Sequence, residues 1–400
     1  NNIFKRIQNA FNVSQRQEPS RLDNNKLGTQ IDLFSQQKEA KEKEKKVNFF
    51  SDKIKINDIH ALEKLKHDLS TQKEISFCFS DNNENKKILC LSFDQKTTFL
   101  IQENNTDLNN DIIEGFLKDF FYSSAMKVSY DFKSQLKPFH ALSEDNIYHN
   151  VFDIMLAAYI VNPDERIQQD ILFKRFLDFD LQNDKENLEN HENYLSNLVI
   201  LNFQIKERLA EQLKENKLWE LFKELEMPLI FILLKMEKSG FKIHEKTLLD
   251  FSRKIKSEIE EIQANIFDLS GKTFNISSPK QLGEVLFIDL HLDKNAKTGQ
   301  FSTSEQNLQR LKKVHPIINL VLQYRSLDKL SSTYVEALPN LINKKSNKIH
   351  TTFNQAVTGT GRLSSKEPNL QNIPIRTKYG REIRRAFIPS SDSNLLLSAD

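Results

Sequence analysis

The sequence predicts an α/β domain, then a helical region, then a polar segment that feeds an apolar strand. Three observations predict this. Short apolar runs of strand length alternate with helical stretches in the first half, and long stripes spaced by three or four residues dominate the second. Residues 358–385 are rich in Gly, Ser, Asn, Gln and Arg and show no period, before Leu395-Leu-Leu-Ser-Ala-Asp400 closes the chain on a carboxylate.

The 400 residues suffice for about two to three domains. A hydrophobic fraction of 38% beside a charged fraction of 28% fits a helix-rich protein with extensive solvated faces. No run reaches the roughly 18 apolar residues of a membrane span, the best being 229–234, and Asn1-Asn-Ile-Phe-Lys lacks a signal-peptide layout, so the cytoplasm is expected. Two cysteines, Cys78 and Cys90, make neither a disulfide framework nor a CxxC pair and are read as small buried strand residues. Net charge is only +2, but residues 344–385 hold ten Lys/Arg against two acids, so 10 − 2 gives +8, a local footprint for phosphate.

In chain order, residues 1–47 turn from the amphipathic Ile3, Phe4, Ile7 and Phe11 to the charged run 38–46, read as a linker. Ile75-Ser-Phe-Cys-Phe79 and Ile88-Leu-Cys-Leu-Ser-Phe93 flank a turn at Asp81-Asn-Asn, and Thr97-Thr-Phe-Leu-Ile101 supplies a third strand. Helices are expected over 111–122, 151–161 and 194–213. Pro228 and Gly240 bracket a nearly continuous apolar stretch, read as a buried core helix.

Leu248, Phe251, Ile255, Ile259, Ile262, Ile266 and Leu269 then form one narrow stripe that stops at Gly271. This is one arm of an antiparallel helical pair. Ser277-Ser-Pro-Lys280 at its tip offers backbone N–H groups and a cation to phosphate, or is an ordinary capped helix start. The return arm begins at His315-Pro316 and sets Leu320, Tyr324, Leu327, Tyr334 and Leu338 against Arg325, Lys329 and Ser332 on the opposite side. A strand over 349–357 carries His350 and Asn354 into the polar segment.

That segment reads Thr358-Gly-Thr-Gly-Arg362-Leu-Ser-Ser, then Pro368-Asn369-Leu-Gln371-Asn372-Ile-Pro, then Arg384-Arg-Ala-Phe387, then Ser398-Ala-Asp400. Over these forty-odd positions it strongly resembles the entry into the palm of family A DNA polymerases, the bacterial DNA polymerase I type. The resemblance implies a layout of four parts: 1–47 as the tail of an upstream domain, 48–214 as a 3′–5′ exonuclease-like domain of RNase H-like fold, 215–345 as the helical thumb, and 346–400 as the first part of the palm. Because residue 1 is Asn and residue 400 lies in mid-motif by the family pattern, both ends are expected to be cut.

Roles follow by resemblance, residue by residue. Arg362 and Gln371 are donors suited to the minor-groove acceptors common to every correct base pair, and Asn369, Asn372, Asn354 and Thr358 suit sugar and phosphate oxygens. Lys280, Arg325 and Lys329 match the thumb surface that rests on the duplex. Arg381, Arg384 and Arg385 suit either template phosphates or local acids. Asp400 matches the first of two palm aspartates that hold two magnesium ions, so one metal ligand is present and the second carboxylate and the dNTP-binding fingers are not.

In the exonuclease-like region, Cys78 and Ser80 stand where active relatives carry Asp-x-Glu on the first strand, and Tyr194 with Leu198 where they carry Tyr-x-x-x-Asp. Asp131 and Asp153 are the surviving carboxylates. A thiol, a hydroxyl and a leucine do not replace hard oxygen ligands for magnesium, so this domain is expected to lack proofreading, with Asp131 a turn or cap residue and Asp153 a helix-start residue.

The leading expectation is therefore a monomeric fragment of a DNA-directed DNA polymerase of bacteria, working in replication and repair beside the nucleoid. Its partners are primer–template DNA and, for the whole enzyme, dNTPs. The fragment alone binds DNA without extending it. A non-enzymatic DNA-binding module and an active 3′–5′ exonuclease are the competing readings.

Overall fold

The structure is a computed structural model that describes residues 52–81, 87–102, 108–137, 150–179, 188–292, 302–391 and 393–397. The expected linker over 1–47 and Asp400 lie outside these residues. The described parts of Asn1–Lys235 with Gln355–Leu363 form one compact unit, and those of Met236–Asn354 with Ser364–Asp400 form another.

The first unit is built on a six-stranded mixed sheet. Its strands are β1 (Asp52–Ile56), β2 (Glu74–Asp81), β3 (Lys87–Ser92), β4 (Thr97–Gln102), β5 (Met126–Ser129) and β6 (Val151–Asp153), in the order β1-β4-β3-β2-β5-β6. The hairpin β2–β3 and its neighbour β4 are antiparallel, whereas β5 and β6 continue parallel to β2 and β1 runs parallel to β4. All three strands read from sequence are present. β1, β5 and β6 were not foreseen: the five-residue β1 buries only Ile56, and β5 and β6 are four and three residues long, too short for a legible alternation.

Helices cover the sheet: α1 (Ile59–Ser70), α2 (Asn110–Tyr122), α3 (Phe132–Leu136), α4 (Ile154–Val161), α5 (Gln169–Leu177) and α6 (Leu188–Glu215). The stretch 151–161, expected as one helix, opens as strand β6. Asp153 ends the strand and caps α4, its carboxylate accepting from Leu156 N–H at 3.2 Å. Helix α6 packs on β2, β3, β4 and β5. At the centre of the core, Phe77 meets Phe79, Phe120, Phe121 and Phe132 edge-on, with centroids 5.4–5.7 Å apart.

Helix α7 (Met227–Ser239) has the predicted bounds but not the predicted environment. Met227, Ile230, Phe231 and Leu233 are buried, whereas Ile232 is 53% and Met236 40% exposed. An almost continuous apolar run carries no periodic mark of which face meets the core, so sequence overstated its burial.

In the second unit, α8 (Glu245–Ser270) packs on α11 (Pro316–Leu330) as the antiparallel pair expected. Two apolar clusters hold the pair. One joins Ile266 to Ile317, Ile318 and Val321 with Leu282 and Leu286 from the connecting region; the other joins Leu248, Phe251 and Ile255 to Leu330, Tyr334 and Leu338. Between the arms lie α9 (Pro279–Gly283) and α10 (Glu305–Leu311).

After the short α12 (Ala337–Asn340), two small sheets form. β7 (Phe241–Ile243) pairs with β8 (Lys348–Ile349), and β9 (Thr352–Asn354) pairs with β10 (Ser364–Lys366). Helix α13 (Lys378–Arg385) leads into β11 (Phe387–Ile388), which joins β7. The expected strand over 395–399 is not seen at 395–397, where Leu395, Leu396 and Leu397 are exposed. No described strand lies alongside to pair with their backbone, and an apolar run becomes a strand only with a ladder partner.

Candidate nucleic-acid interface

The polar segment is held in two halves, each by its own buried polar network. In the first unit, Gln355 is buried and donates from Nε2 to the Glu226 carbonyl at 3.1 Å and to Glu226 Oε2 at 2.7 Å. The Tyr159 hydroxyl, from α4, donates to the Thr358 carbonyl at 2.7 Å. Thr358 Oγ1 in turn donates to the Arg362 carbonyl at 2.7 Å, which closes the loop, and Gly361 takes a φ of +73° open chiefly to glycine. Arg362 ends this loop exposed to solvent.

In the second unit, Thr351 Oγ1 bonds Ser365 Oγ at 2.7 Å and meets the Lys366 and Pro368 carbonyls at 3.0 and 2.8 Å. Leu370 N–H donates to Ser365 Oγ at 3.1 Å, and Phe353 N–H to the buried Glu237 Oε1 at 2.8 Å. Asn369 Oδ1 accepts from the backbone of Gln371 and Asn372 at 3.1 and 3.2 Å, an Asx turn that leaves both of those side chains exposed. Asn354 sits half-buried at the end of β9.

Helix α13 continues the surface. Thr377 caps it by accepting from Gly380 N–H at 3.0 Å, and a Cβ on Gly380 would meet the Pro374 carbonyl oxygen at 1.9 Å, so glycine is required for the approach. Tyr379 donates to Glu258 Oε2 at 2.6 Å, which ties α13 to α8 and pushes the phenol up to about 12. Arg376, Lys378, Arg381, Arg384 and Arg385 are exposed. Of the three arginines left open by sequence, Arg385 pairs with Glu382 at 2.7 Å and Arg384 donates to the Ile373 carbonyl at 2.9 Å, while Arg381 faces solvent.

Of the thumb candidates, Lys280 is exposed in the first turn of α9, whose cap Ser278 accepts from Gln281 N–H at 3.5 Å. Lys329 is exposed. Arg325 does not share its outward face as expected: the guanidinium is half-buried and donates to the carbonyl and, at 3.2 Å, to Oγ1 of Thr303. A helix period assigns faces but not what a connecting segment lays over them. His350 is also occupied internally. Its Nδ1 donates to the Glu237 carbonyl at 2.7 Å and its Nε2 lies 2.7 Å from Ser346 Oγ, leaving no ring nitrogen for a ligand.

The residues that the resemblance set at exonuclease positions occupy β2 and α6, the end of β6 and the turn after β5. Cys78 faces Cys90 across the antiparallel pair, both buried, and burial pushes the Cys90 thiol up. Ser80 Oγ lies 3.1 Å from His191 Nε2 on α6. Leu198 is buried. Asp131 adopts the left-handed conformation and caps α3, accepting from Ser134 N–H at 3.3 Å. Asp153 is buried, accepts from Phe132 N–H at 2.8 Å, and is pushed up to about 7, chiefly by burial and then by Asp131.

Comparison with known proteins shows what this region is similar to. The model of DNA polymerase family A matches residues 245–400, which contain the helical pair and both halves of the polar segment from α8 onward. Residues 245–400 are therefore similar to DNA polymerase family A. DNA polymerase I of Bacillus subtilis is 40% identical over 263 residues, covering 62% of this chain and 30% of that protein. The thermostable DNA polymerase I of Thermus aquaticus is 46% identical over 190 residues, 47% of this chain and 23% of that protein. The chain thus spans less than a third of either relative. Among solved structures, the POL domain of Pol1 from M. smegmatis, in complex with DNA primer-template and dNTP, aligns at a TM-score of 0.69 and 26% identity over 84% of this chain and 58% of that one.

Sequence reasoning missed Tyr159, Glu226 and Gln355 as supports of the Arg362 loop. Tyr159 and Glu226 lie some two hundred and one hundred and thirty positions upstream, and nothing local to them signals the loop.

Proposed function

We propose that this chain is the primer–template-holding part of a DNA polymerase I-type enzyme that adds deoxynucleotides to a primer 3′-OH under template direction. The observation that carries the reading is the exposure of Arg362, Gln371, Asn372, Arg376, Lys378 and Arg381 along a segment that lies in the family match. Guanidinium and amide donors suit minor-groove acceptors and backbone oxygens without demanding a particular sequence. In this reading 48–214 is an RNase H-like exonuclease-like domain, 215–345 the thumb and 346–400 the start of the palm, and the chain acts as a monomer in the bacterial cytoplasm.

Magnesium is implied by the family, but its fit does not follow from the described residues. Asp400 lies outside them, and no group of three His, Cys, Asp or Glu side chains gathers as a metal site among them. What the chain supplies is placement of the duplex, and in phosphoryl transfer placement is a large part of catalysis.

The exonuclease-like domain acts as a scaffold rather than a nuclease. Support comes from the side chains at its former ligand positions: a thiol paired with Cys90, a hydroxyl beside His191, a buried leucine, and a carboxylate spent on capping α3. Incubating the chain with single-stranded DNA and magnesium should give no 3′-end cleavage; cleavage abolished by Asp131→Ala would overturn this.

The binding reading is tested by fluorescence anisotropy of the full chain with a primer–template duplex over a salt series. Arg362→Ala should weaken binding about tenfold or more, the scale of a lost base-edge contact. Wild-type affinity in that variant would sink the assignment.

A further inference from the structure

We infer that Tyr159 and Gln355 are positioning residues, which fix the loop bearing Arg362 in the shape that meets duplex DNA. The inference rests on the primer–template reading above and extends it to residues outside the family match, or without any donor pointed at DNA. The loop over 355–363 packs with the α/β unit rather than with the residues that follow it, so its shape is set by that unit.

Two anchors do this. Gln355, 6% exposed, spends its amide group on the carbonyl and carboxylate of Glu226, the last residue of the π-helical segment Phe222–Glu226 that runs into α7. Burial pushes the Glu226 carboxyl up, and the amide of Gln355 works against that rise, so the carboxylate depends on this donor.

Tyr159 is the second anchor. It is 7% exposed on α4, and its hydroxyl donates at 2.7 Å to the Thr358 carbonyl, the same carbonyl that accepts from Gly361 N–H at 3.4 Å. The hydroxyl thereby grips the turn from Thr358 to Gly361 at the oxygen on which its backbone bond closes. Across the same turn, Thr358 Oγ1 holds the Arg362 carbonyl at 2.7 Å. The chain of contacts from Tyr159 through Thr358 ends on the backbone of Arg362, one residue from the loop's end. The hydroxyl's partner is thus the carbonyl at which a glycine-rich turn closes, and removing it loosens a backbone whose φ and ψ glycine leaves permissive.

The test uses the full chain, a fluorescent primer–template duplex and thermal unfolding run in parallel. Tyr159→Phe removes only the hydroxyl. It should weaken binding about threefold to tenfold, the scale of one neutral hydrogen bond, and leave the salt slope unchanged because no charge is altered. On an Arg362→Ala background it should add nothing, whereas with Lys280→Ala, in the other unit, the two effects should multiply. A general loss of folding would not discriminate between those backgrounds.

Gln355→Met, which removes both donors at similar volume, is the second arm and should behave likewise. Wild-type binding by Tyr159→Phe and Gln355→Met while Arg362→Ala binds weakly would overturn the positioning role alone, as would effects that multiply with Arg362→Ala. Wild-type binding by Arg362→Ala would overturn the DNA-binding reading and this inference together. If Tyr159→Phe does not fold, the Gln355→Met arm decides.

Discussion

Asp153 should make the α/β unit less stable as pH rises through the acid range, the reverse of the usual carboxylate. Its side chain is 1% exposed, and burial together with the charge of Asp131 lifts it from its ordinary 3.8 to about 7. The N–H groups of Phe132 and Leu156, which accept no proton and favour the ionised form, lower it without overcoming burial. The folded state therefore holds a proton that the unfolded state has released between about pH 4 and 7, so stability is full below 3.8 and falls as pH rises toward 7. The interval corresponds to about 4 kcal/mol at most. Asp153→Asn cannot ionise, and it gives up one of two oxygen acceptors, a cost of about 1 kcal/mol. Urea unfolding of both proteins from pH 4.5 to 7.5 checks this: the variant should be the weaker at pH 4.5, and the gap should close or reverse by pH 7.5. Parallel stability curves would refute the reasoning, because they would mean that Asp153 is ionised when folded.

Phe77→Ala, at a fully buried ring touching four others, should cost about 3–5 kcal/mol in chemical denaturation. Gly380→Ala should cost about 1–3 kcal/mol and weaken duplex binding, since a Cβ collides with the Pro374 carbonyl and α13 must shift; the unfolding midpoint and anisotropy read both. Arg325→Ala should lower the unfolding midpoint with little change in the salt dependence of DNA binding, because its guanidinium is spent on Thr303. Lys329→Ala should do the opposite, reducing the salt slope by about 1 with the midpoint unchanged.

How much of this was legible in the sequence depended on the kind of signal. Strands β2, β3 and β4 and helices α8 and α11 announced themselves, because apolar runs of strand length and a stripe from Leu248 to Ile266 are long enough to be read. β5 and β6 did not, being four and three residues long, although the helix start at Asp153 was read from its carboxylate ahead of an apolar run. At the site, Arg362, Gln371 and Asn372 were found where donors stand exposed. Arg325 was expected on an open face because its partner, Thr303, comes from another segment.

The polar segment is continuous in sequence, but physically it has two supports. Residues 358–362 depend on Tyr159, and through Gln355 on Glu226, all within the first unit. Residues 364–372 depend on Thr351, Ser365 and Glu237 in the second. A motif of this kind keeps its side chains only if both supports keep theirs. That gives the α/β unit a part in the segment's shape, since the packing around Tyr159 sets the Arg362 loop. Substitutions at Cys78 or Leu198 that preserve the core should then leave DNA binding intact, while a loss of packing around α4 should be felt at Arg362.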